Sequence, residues 1–167
     1  EIEWSKAMRK LAATFLPRLV LLHRSLIGIC LIVVAGTVHA GDVDALYEAA
    51  GDGDAAQVTA LLDGGTDVNG RTKSGSYALN NAAVENEVEV MRILLLRGAD
   101  PNVQNSQGDT PLICATKYAG GKAATVKLLV EAGTDLTIQD KRGHTALDYA
   151  EKKQQQEAIA LLEKPRS

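Results

Sequence analysis

The stretch LLLRGADPN, from Leu94 to Asn102, occurs in two related forms in the same chain. The related forms are LLDGGTDVN (Leu61–Asn69) and LLVEAGTDLT (Leu128–Thr137). One glycine is common to all three stretches and recurs after 33 and 35 residues, at Gly65, Gly98 and Gly133. A sequence that recurs with a nearly constant period predicts a repeated structural unit.

A second series of glycines, each followed four residues later by leucine, keeps the same period: Gly75, Gly108 and Gly143. Each period contains two apolar segments, and Val90, Ile93 and Leu94 show the i, i+3, i+4 spacing of a helix face. Thr110-Pro111 predicts a helix start, because threonine caps a free N–H and proline at the first helical position loses no hydrogen bond. The glycine after each second segment favours the left-handed conformation that ends a helix. Each period therefore predicts two helices and a turn.

The segments GDTPL (Gly108–Leu112) and GADPN (Gly98–Asn102) resemble the ankyrin repeat, and the resemblance covers about residues 42–163. It implies an all-α ankyrin-repeat solenoid of four stacked helix-turn-helix units with projecting β-hairpin-like turns. We place this repeat domain at 41–164, with units at about 42–71, 72–104, 105–139 and 140–164 and a tail at 165–167. The histidine that often follows Thr-Pro-Leu in the family is absent here, and its positions in the four units are occupied by Tyr47, Asn80, Ile113 and Asp148.

Residues 1–40 are typical of an export signal that forms a hydrophobic leader helix. Leu26–Val38 has 13 residues and no charge, whereas crossing a bilayer takes about 20 apolar residues. Basic residues precede this segment, and Val38-His39-Ala40 follows it, so we expect a signal peptide cleaved after Ala40. An alternative is that the natural protein begins at Met8, within this leader. The alternative to cleavage is a leader that anchors the protein in the inner membrane, facing the periplasm.

Charge is unevenly distributed along the chain. Residues 41–167 contain 13 basic and 19 acidic residues, a net charge of −6. This balance argues against nucleic-acid binding, which needs clustered lysine and arginine. It favours a basic partner, although a charge of this size also serves simply to keep a small protein soluble.

The residue types that usually carry catalysis or bind metals are scarce after the predicted cleavage site. His23, His39 and Cys30 leave with the leader, so His144 and Cys114 are single residues of their type. His144 stands at a predicted turn, and the apolar surroundings of Cys114 predict a buried, inert thiol. We therefore expect no catalytic residue, no metal site and no cofactor, and a protein that is not an enzyme.

The family resemblance implies that a partner protein contacts the turn tips and the first helices. Tyr118 is the predicted anchor, because tyrosine offers a large contact area at low entropic cost; the alternative is that it packs against the Gly120-Gly121 loop. On the turn tips, the resemblance implies contacts at Lys73, Ser74, Ser76, Ser106, Gln107, Asp109, Lys141, Arg142 and His144. On the first helices, it implies contacts at Val84, Glu85, Lys117, Tyr118 and Lys152.

The layout is similar to that of small exported ankyrin-repeat proteins of Gram-negative bacteria. The sequence therefore predicts a non-catalytic protein–protein interaction module, exported to the bacterial periplasm and monomeric by itself. An alternative is a periplasmic inhibitor or immunity protein for a specific, basic enzyme. Any contact with a membrane would come only from an uncleaved leader.

Overall fold

The protein is described here by a computed structural model that covers residues 42–163. The predicted leader, its cleavage site and the tail at 165–167 lie outside the described residues. Within residues 42–163 there are eight α-helices and no β-strand. In chain order they are α1 (Val43–Gly51), α2 (Ala55–Asp63), α3 (Ala78–Glu85), α4 (Val88–Leu96), α5 (Pro111–Lys117), α6 (Ala123–Glu131), α7 (Ala146–Lys152) and α8 (Gln156–Leu162).

The helices form four pairs, and the pairs stack into two layers. The first helices of the pairs (α1, α3, α5, α7) pack successively against each other, and so do the second helices (α2, α4, α6, α8). The two helices of each pair also contact one another, so every internal helix is covered on at least three sides. The all-α stack of helix pairs that the sequence predicts is confirmed.

Small side chains allow the first helices to approach closely. Ala82, Ala83, Ala115 and Ala150 are all completely buried. The second helices bury branched side chains instead, at positions such as Val58, Val90, Leu94, Val126 and Leu129. A core of this kind depends on close helix contact for its dispersion and hydrophobic energy, because it contains few large side chains.

The helix ends follow the signals in the sequence. Thr110 Oγ1 accepts a hydrogen bond from Ile113 N at 3.2 Å, with Pro111 at the first helical position. In the fourth pair Thr145 and Asp148 cap each other reciprocally, with Asp148 N donating to Thr145 Oγ1 at 3.2 Å and Thr145 N donating to Asp148 Oδ2 at 2.7 Å. Asp148 occupies the repeat position at which the family often has histidine, and here it caps the start of α7.

Asparagine side chains join the loops that follow successive second helices. Asn69 Oδ1 accepts a hydrogen bond from Asp100 N at 2.8 Å, and Asn102 Oδ1 accepts one from Asp135 N at 2.7 Å. Thr137 occupies the next equivalent position and bonds within its own loop, to Asp135 Oδ1 at 2.7 Å. These bonds between neighbouring units fix the register of the stack.

No described helix has the length and apolar character needed to cross a membrane.

Candidate partner-binding surface

Three turns, which we call the tip loops (71–76, 104–109 and 139–144), connect one helix pair to the next. In each of them the second residue carries an oxygen that accepts a hydrogen bond from the backbone N–H four residues later. The acceptors are Thr72 Oγ1 at 2.9 Å, Asn105 Oδ1 at 2.9 Å and Asp140 Oδ1 at 3.0 Å. Three different residue types therefore hold the tip loops in the same conformation.

The tip loops touch one another and form a continuous row, which we call the tip edge. Lys141 N donates to Gln107 O at 3.0 Å, which joins the second and third tip loops. Gly75 allows the first two tip loops to lie close together, because a Cβ at this glycine would lie only 3.2 Å from Ser106 Cβ. A partner would therefore meet one ordered edge and not three independent loops.

A shallow groove of about 260 Å³ lies between the tip edge and the first helices. It is lined by hydroxyl and amide groups with two tyrosines, and none of its lining residues is charged. The lining residues are Tyr47, Ser74, Ser76, Asn80, Asn81, Val84, Asn105, Ser106, Gln107, Cys114 and Tyr118. Asn80 Nδ2 donates to Asp109 O at 3.0 Å, which orients the amide, and Asn80 Oδ1 has no hydrogen-bond partner among residues 42–163.

Beside this groove lies a buried ion cluster, made of Asp109, Lys117, Asp140 and Tyr149. Lys117 Nζ lies 2.9 Å and 3.0 Å from the two carboxylate oxygens of Asp109 and 3.4 Å from Asp140 Oδ2. The hydroxyl of Tyr149 donates a hydrogen bond to Asp140 Oδ2 at 2.6 Å. The side chain of Lys117 is 12% exposed and those of the two aspartates 0% and 1%, so these charges are removed from water and depend on each other.

The surroundings of Lys117, Asp140 and Tyr149 fix the protonation state of these three groups near neutral pH. Burial alone would lower the pKa of Lys117, but its contacts with Asp109 and Tyr118 outweigh burial and hold that pKa above its usual range. Burial would raise the pKa of Asp140, but bonds from the Tyr149 hydroxyl, backbone N–H groups and Lys117 hold it well below its usual range. Burial and Asp140 together raise the pKa of Tyr149. Lys117 therefore stays charged, Asp140 ionised and Tyr149 neutral, so none of these three groups is suited to proton exchange near pH 7.

The predicted burial of Cys114 is confirmed. Its thiol is 1% exposed, and burial raises its pKa to about 12, although a hydrogen bond from Asn80 Nδ2 at 3.5 Å opposes this rise. A thiol with such a pKa carries almost no thiolate at neutral pH and is a poor nucleophile. Among residues 42–163 there is also no group of three or more acidic, histidine or cysteine side chains that could hold a metal ion.

Most of the predicted contact residues lie on the tip edge or at the groove. The exposed ones are Lys73, Ser74, Glu85, Ser106, Gln107, Tyr118, Lys141, Arg142 and Lys152, and the half-buried ones are Ser76, Val84 and His144. That these residues contact a partner stays a prediction. Tyr118 is 52% exposed, and its hydroxyl donates to Asp109 Oδ2 at 3.3 Å.

Two of the predicted contact residues do not lie on the open surface. Asp109 was assigned to a turn tip, but its carboxylate points inward to Lys117 and is fully buried. The sequence places Lys117 on a first helix, but its ammonium group is enclosed by the two carboxylates. That Asp109 and Lys117 contact a partner stays a prediction, but neither side chain is free on the surface, because opposite charges from different loops pair inside the stack.

The sequence interpretation also missed residues that shape the site, namely Tyr47, Asn80, Asn81, Asn105, Asp140 and Tyr149. A signal existed for two of them. Asn105 and Asp140 stand one period apart at the start of their tip loops, as Thr72 does one period earlier, and all three residue types can cap a turn. The inward direction of the other side chains had no comparable signal, because it depends on neighbouring repeats.

Comparison with known proteins decides the family. A family model for ankyrin repeats (three copies) matches residues 46–140 and 79–166. This chain belongs to the ankyrin-repeat family. Ankyrin repeats typically bind other proteins and are generally non-catalytic.

Similar ankyrin-repeat sequences occur in proteins with quite different names. The chain is 40% identical over 96 residues to Protein PhlB of Serratia liquefaciens, covering 57% of this chain and 41% of PhlB. It is 37% identical over 94 residues to the E3 ubiquitin-protein ligase KEG of Arabidopsis thaliana, covering 56% of this chain and 6% of KEG. It is also 37% identical over 79 residues to protein phosphatase 1 regulatory subunit 12A of Mus musculus, covering 47% of this chain and 8% of that subunit. The chain spans less than half the length of these curated relatives.

Proposed function

We propose that this ankyrin-repeat chain is a non-catalytic module that binds another protein on its tip edge and in the adjoining groove. One observation carries this proposal: the tip loops pack against one another, the second and third through the bond from Lys141 N to Gln107 O, and present exposed polar side chains along a continuous edge. A surface that is already ordered before binding loses little conformational entropy when a partner docks. The shallow groove suits contact with another macromolecule better than the enclosure of a small substrate.

Tyr118 is the residue we expect to contribute most to this contact. Tyr118 is 52% exposed at the border of the groove, while its hydroxyl bonds to the buried Asp109. The ammonium group of Lys117 lies 5.3 Å from the ring centroid, which further restrains the ring. A restrained aromatic side chain with a free face is typical of residues that dominate binding energy.

The test is capture of partners by the tagged full chain from the cells that produce it. We expect Tyr118→Ala to weaken binding of the captured partner about tenfold or more, as loss of a dominant interface residue does. Leu96→Ala is the control, because Leu96 is 81% exposed on α4, outside the groove. Both variants should keep the helical circular dichroism of the parent. If Tyr118→Ala binds as the parent does, the proposed surface is incorrect. Lys117→Ala is not used, since it would remove the cation of the buried ion cluster.

We also propose that the protein is exported, most simply to the bacterial periplasm. The support is the sequence of residues 1–40, with basic residues, an uncharged apolar segment and Val38-His39-Ala40. Mass spectrometry of the N-terminus of the protein isolated from its native cells tests this proposal. A chain that begins at Gly41 supports cleavage and export, whereas one that keeps the apolar segment supports the inner-membrane anchor.

A narrower version of the same function is an inhibitor or immunity protein that covers the active site of a basic enzyme. Its support is the net charge of −6 on residues 41–167, which would speed association with a basic protein. This version predicts an association rate that falls as salt concentration rises, and inhibition of the captured partner's activity. A rate independent of salt would argue against it.

A further inference from the structure

The exposed charges on the tip edge are all positive, although the net charge of residues 41–167 is negative. The four exposed charged side chains of the tip loops are Arg71, Lys73, Lys141 and Arg142. The two acidic residues of the tip loops, Asp109 and Asp140, are buried and paired with Lys117. The fold therefore withdraws the negative charges of this edge from the surface and leaves the positive ones in solvent.

These cations are available to a partner. Lys73 Nζ lies 3.7 Å from Asp44 Oδ2, but the lysine side chain is 95% exposed, so this pair is weak. Arg71, Lys141 and Arg142 form no ion pair within residues 42–163. A partner carboxylate could bind them without first displacing a protein carboxylate that holds them tightly.

The positive charges come from the first and third tip loops, and the middle tip loop is an uncharged region between them. The guanidinium group of Arg71 extends towards this middle loop, because a Cβ at Gly75 would lie 2.9 Å from Arg71 Nη2 and 3.2 Å from Ser106 Cβ. Arg71 and Lys73 belong to the first tip loop, and Lys141 and Arg142 belong to the third. The exposed residues of the middle tip loop are Gln104, Ser106 and Gln107, and none of them is charged. The groove beside this loop is lined mainly by hydroxyl and amide groups. Such groups pair with the N–H and C=O groups of a peptide backbone.

The distance between the two positive ends determines the length of a peptide segment that could contact both of them. Packed helices lie about 8–10 Å apart, so two repeat steps separate the ends by roughly 16–20 Å. An extended peptide rises about 3.3 Å per residue. A segment of about six residues therefore spans the uncharged region and reaches the cations at both ends.

We propose that the tip edge binds an extended acidic segment of the partner protein, with a carboxylate at each end and the two carboxylates about six residues apart. The middle of the segment lies against Ser106 and Gln107 and exchanges backbone hydrogen bonds with the groove. This inference rests on the proposed protein-binding function and adds the chemistry of the bound segment. It places an acidic surface of the partner on this edge, so it disagrees with the basic enzyme inferred from net charge alone.

A peptide fits this arrangement better than a nucleic acid does. A nucleic-acid strand carries a phosphate at every nucleotide, and the middle tip loop offers no cation to any phosphate that would lie there. Single-stranded nucleic acids are usually held by several aromatic side chains, whereas the groove is bordered by Tyr47 and Tyr118 alone among the described aromatic residues.

The test is selection of peptides by the full chain from a random dodecapeptide library, followed by titration of the selected peptides and of single-stranded DNA dodecamers. We expect the selected peptides to contain Asp or Glu at two positions about six residues apart. Raising the salt concentration should weaken their binding severalfold. Changing the charges of both ends with Lys73→Glu, Lys141→Glu and Arg142→Glu should weaken binding about tenfold or more.

The control is a variant with the same change of charge on the second-helix side, made by Arg92→Glu, Lys122→Glu and Lys127→Glu. These three side chains are exposed and lie outside the groove, so this variant should bind the selected peptides within about threefold of the parent. Both variants are checked for the parent's circular dichroism and melting temperature. Binding lost equally in both variants would mean a general charge effect and would overturn the inference.

The remaining outcomes separate this inference from the proposed function. If the selected peptides are basic or uncharged, or if they bind the tip-edge variant as tightly as the parent, the proposal of an acidic segment is overturned. The proposed protein-binding function is then left in place. DNA that binds as tightly as the peptides, with the same dependence on the tip-edge charges, overturns the choice of a peptide. A library that yields no peptide, together with a partner capture that does not depend on Tyr118, rejects both the inference and the proposed surface.

Discussion

Two buried carboxylates, those of Asp109 and Asp140, share the ammonium group of Lys117. The three residues come from two tip loops and a first helix, so the cluster joins the third and fourth repeats. Tyr149 completes it with a hydroxyl that bonds to Asp140, and its ring lies 5.1 Å from Lys117 Nζ. At the scale of single residues, this is where a substitution leaves the largest uncompensated charge.

Lys117→Met should lower the free energy of unfolding by about 3–5 kcal/mol, because it leaves two buried carboxylates without a cation. Lys127→Met is the matched control, since Lys127 is 64% exposed and its ion pair with Glu131 is 3.7 Å long. It should cost less than about 0.5 kcal/mol. Urea unfolding at pH 7, followed by circular dichroism, measures both. Equal costs for the two variants would mean that the cluster contributes nothing specific to stability.

The depressed pKa of Asp140 predicts a loss of stability in acid. A carboxyl whose pKa is lower in the folded than in the unfolded state stabilises the fold above its unfolded pKa of about 3.9, and that contribution is lost as pH falls further. Between pH 6 and pH 3 the parent should lose about 1 kcal/mol more than Asp140→Asn does. Urea unfolding across this range measures the difference. Parallel pH profiles would contradict the role assigned to this carboxylate.

At the scale of structural elements, glycines occupy two kinds of position with the same backbone conformation. Gly98 ends α4 with φ of 87°, and a Cβ placed there would meet no atom within 4 Å. Gly108 turns the second tip loop with φ of 81°, and its Cβ would lie 2.9 Å from the backbone nitrogen of Lys141. The first glycine is needed only for its conformation, and the second also for the approach of the next tip loop.

This difference predicts unequal costs for the same substitution. Gly98→Ala should cost about 1–2 kcal/mol, the strain of a left-handed alanine. Gly108→Ala should cost roughly 3 kcal/mol or more, because the methyl group also forces two tip loops apart. Thermal and urea unfolding of the two variants compare them directly. A Gly108→Ala variant as stable as Gly98→Ala would mean that the tip loops are not held together as described.

At the scale of the whole molecule, the described part of the chain is a stack in which each helix pair contacts only its neighbours. Stability in such a stack is a sum of the stability of each unit and of the interfaces between units. Among the described helices, α8 packs mainly on α6 and α7 and buries Ala158 and Leu162, whereas α4 packs on α2, α3 and α6. Helix α8 should therefore open before α4 does.

Hydrogen exchange measured by mass spectrometry tests this order. Backbone amides of α8 should exchange at least about tenfold faster than those of α4, since local opening costs less where fewer contacts break. Ala158→Gly should accelerate exchange in α8 and leave α4 nearly unchanged, because glycine costs about 1 kcal/mol in a helix and acts locally. Equal exchange in α4 and α8 would indicate a single cooperative unit instead.

The periodic features of the sequence were enough to predict the repeat and its helices. Thr110-Pro111 and the glycines after the second helices predicted helix starts and ends that the structure confirms, because these signals act within a few residues. The period of 33 and 35 residues predicted which segments stack on which. Export, the partner and the contact residues stay predictions.

What the sequence determined by itself is the repeat: two helices and a turn per period, with apolar faces that only neighbouring units can cover. The tertiary structure alone decided which polar groups of the tip loops face inward. Asp109 and Lys117 are as polar as Lys73 and Ser106, yet the first two are enclosed and the last two lie in solvent. The physical reason is that a charge is buried only where an opposite charge meets it, and here that meeting depends on how adjacent repeats are stacked.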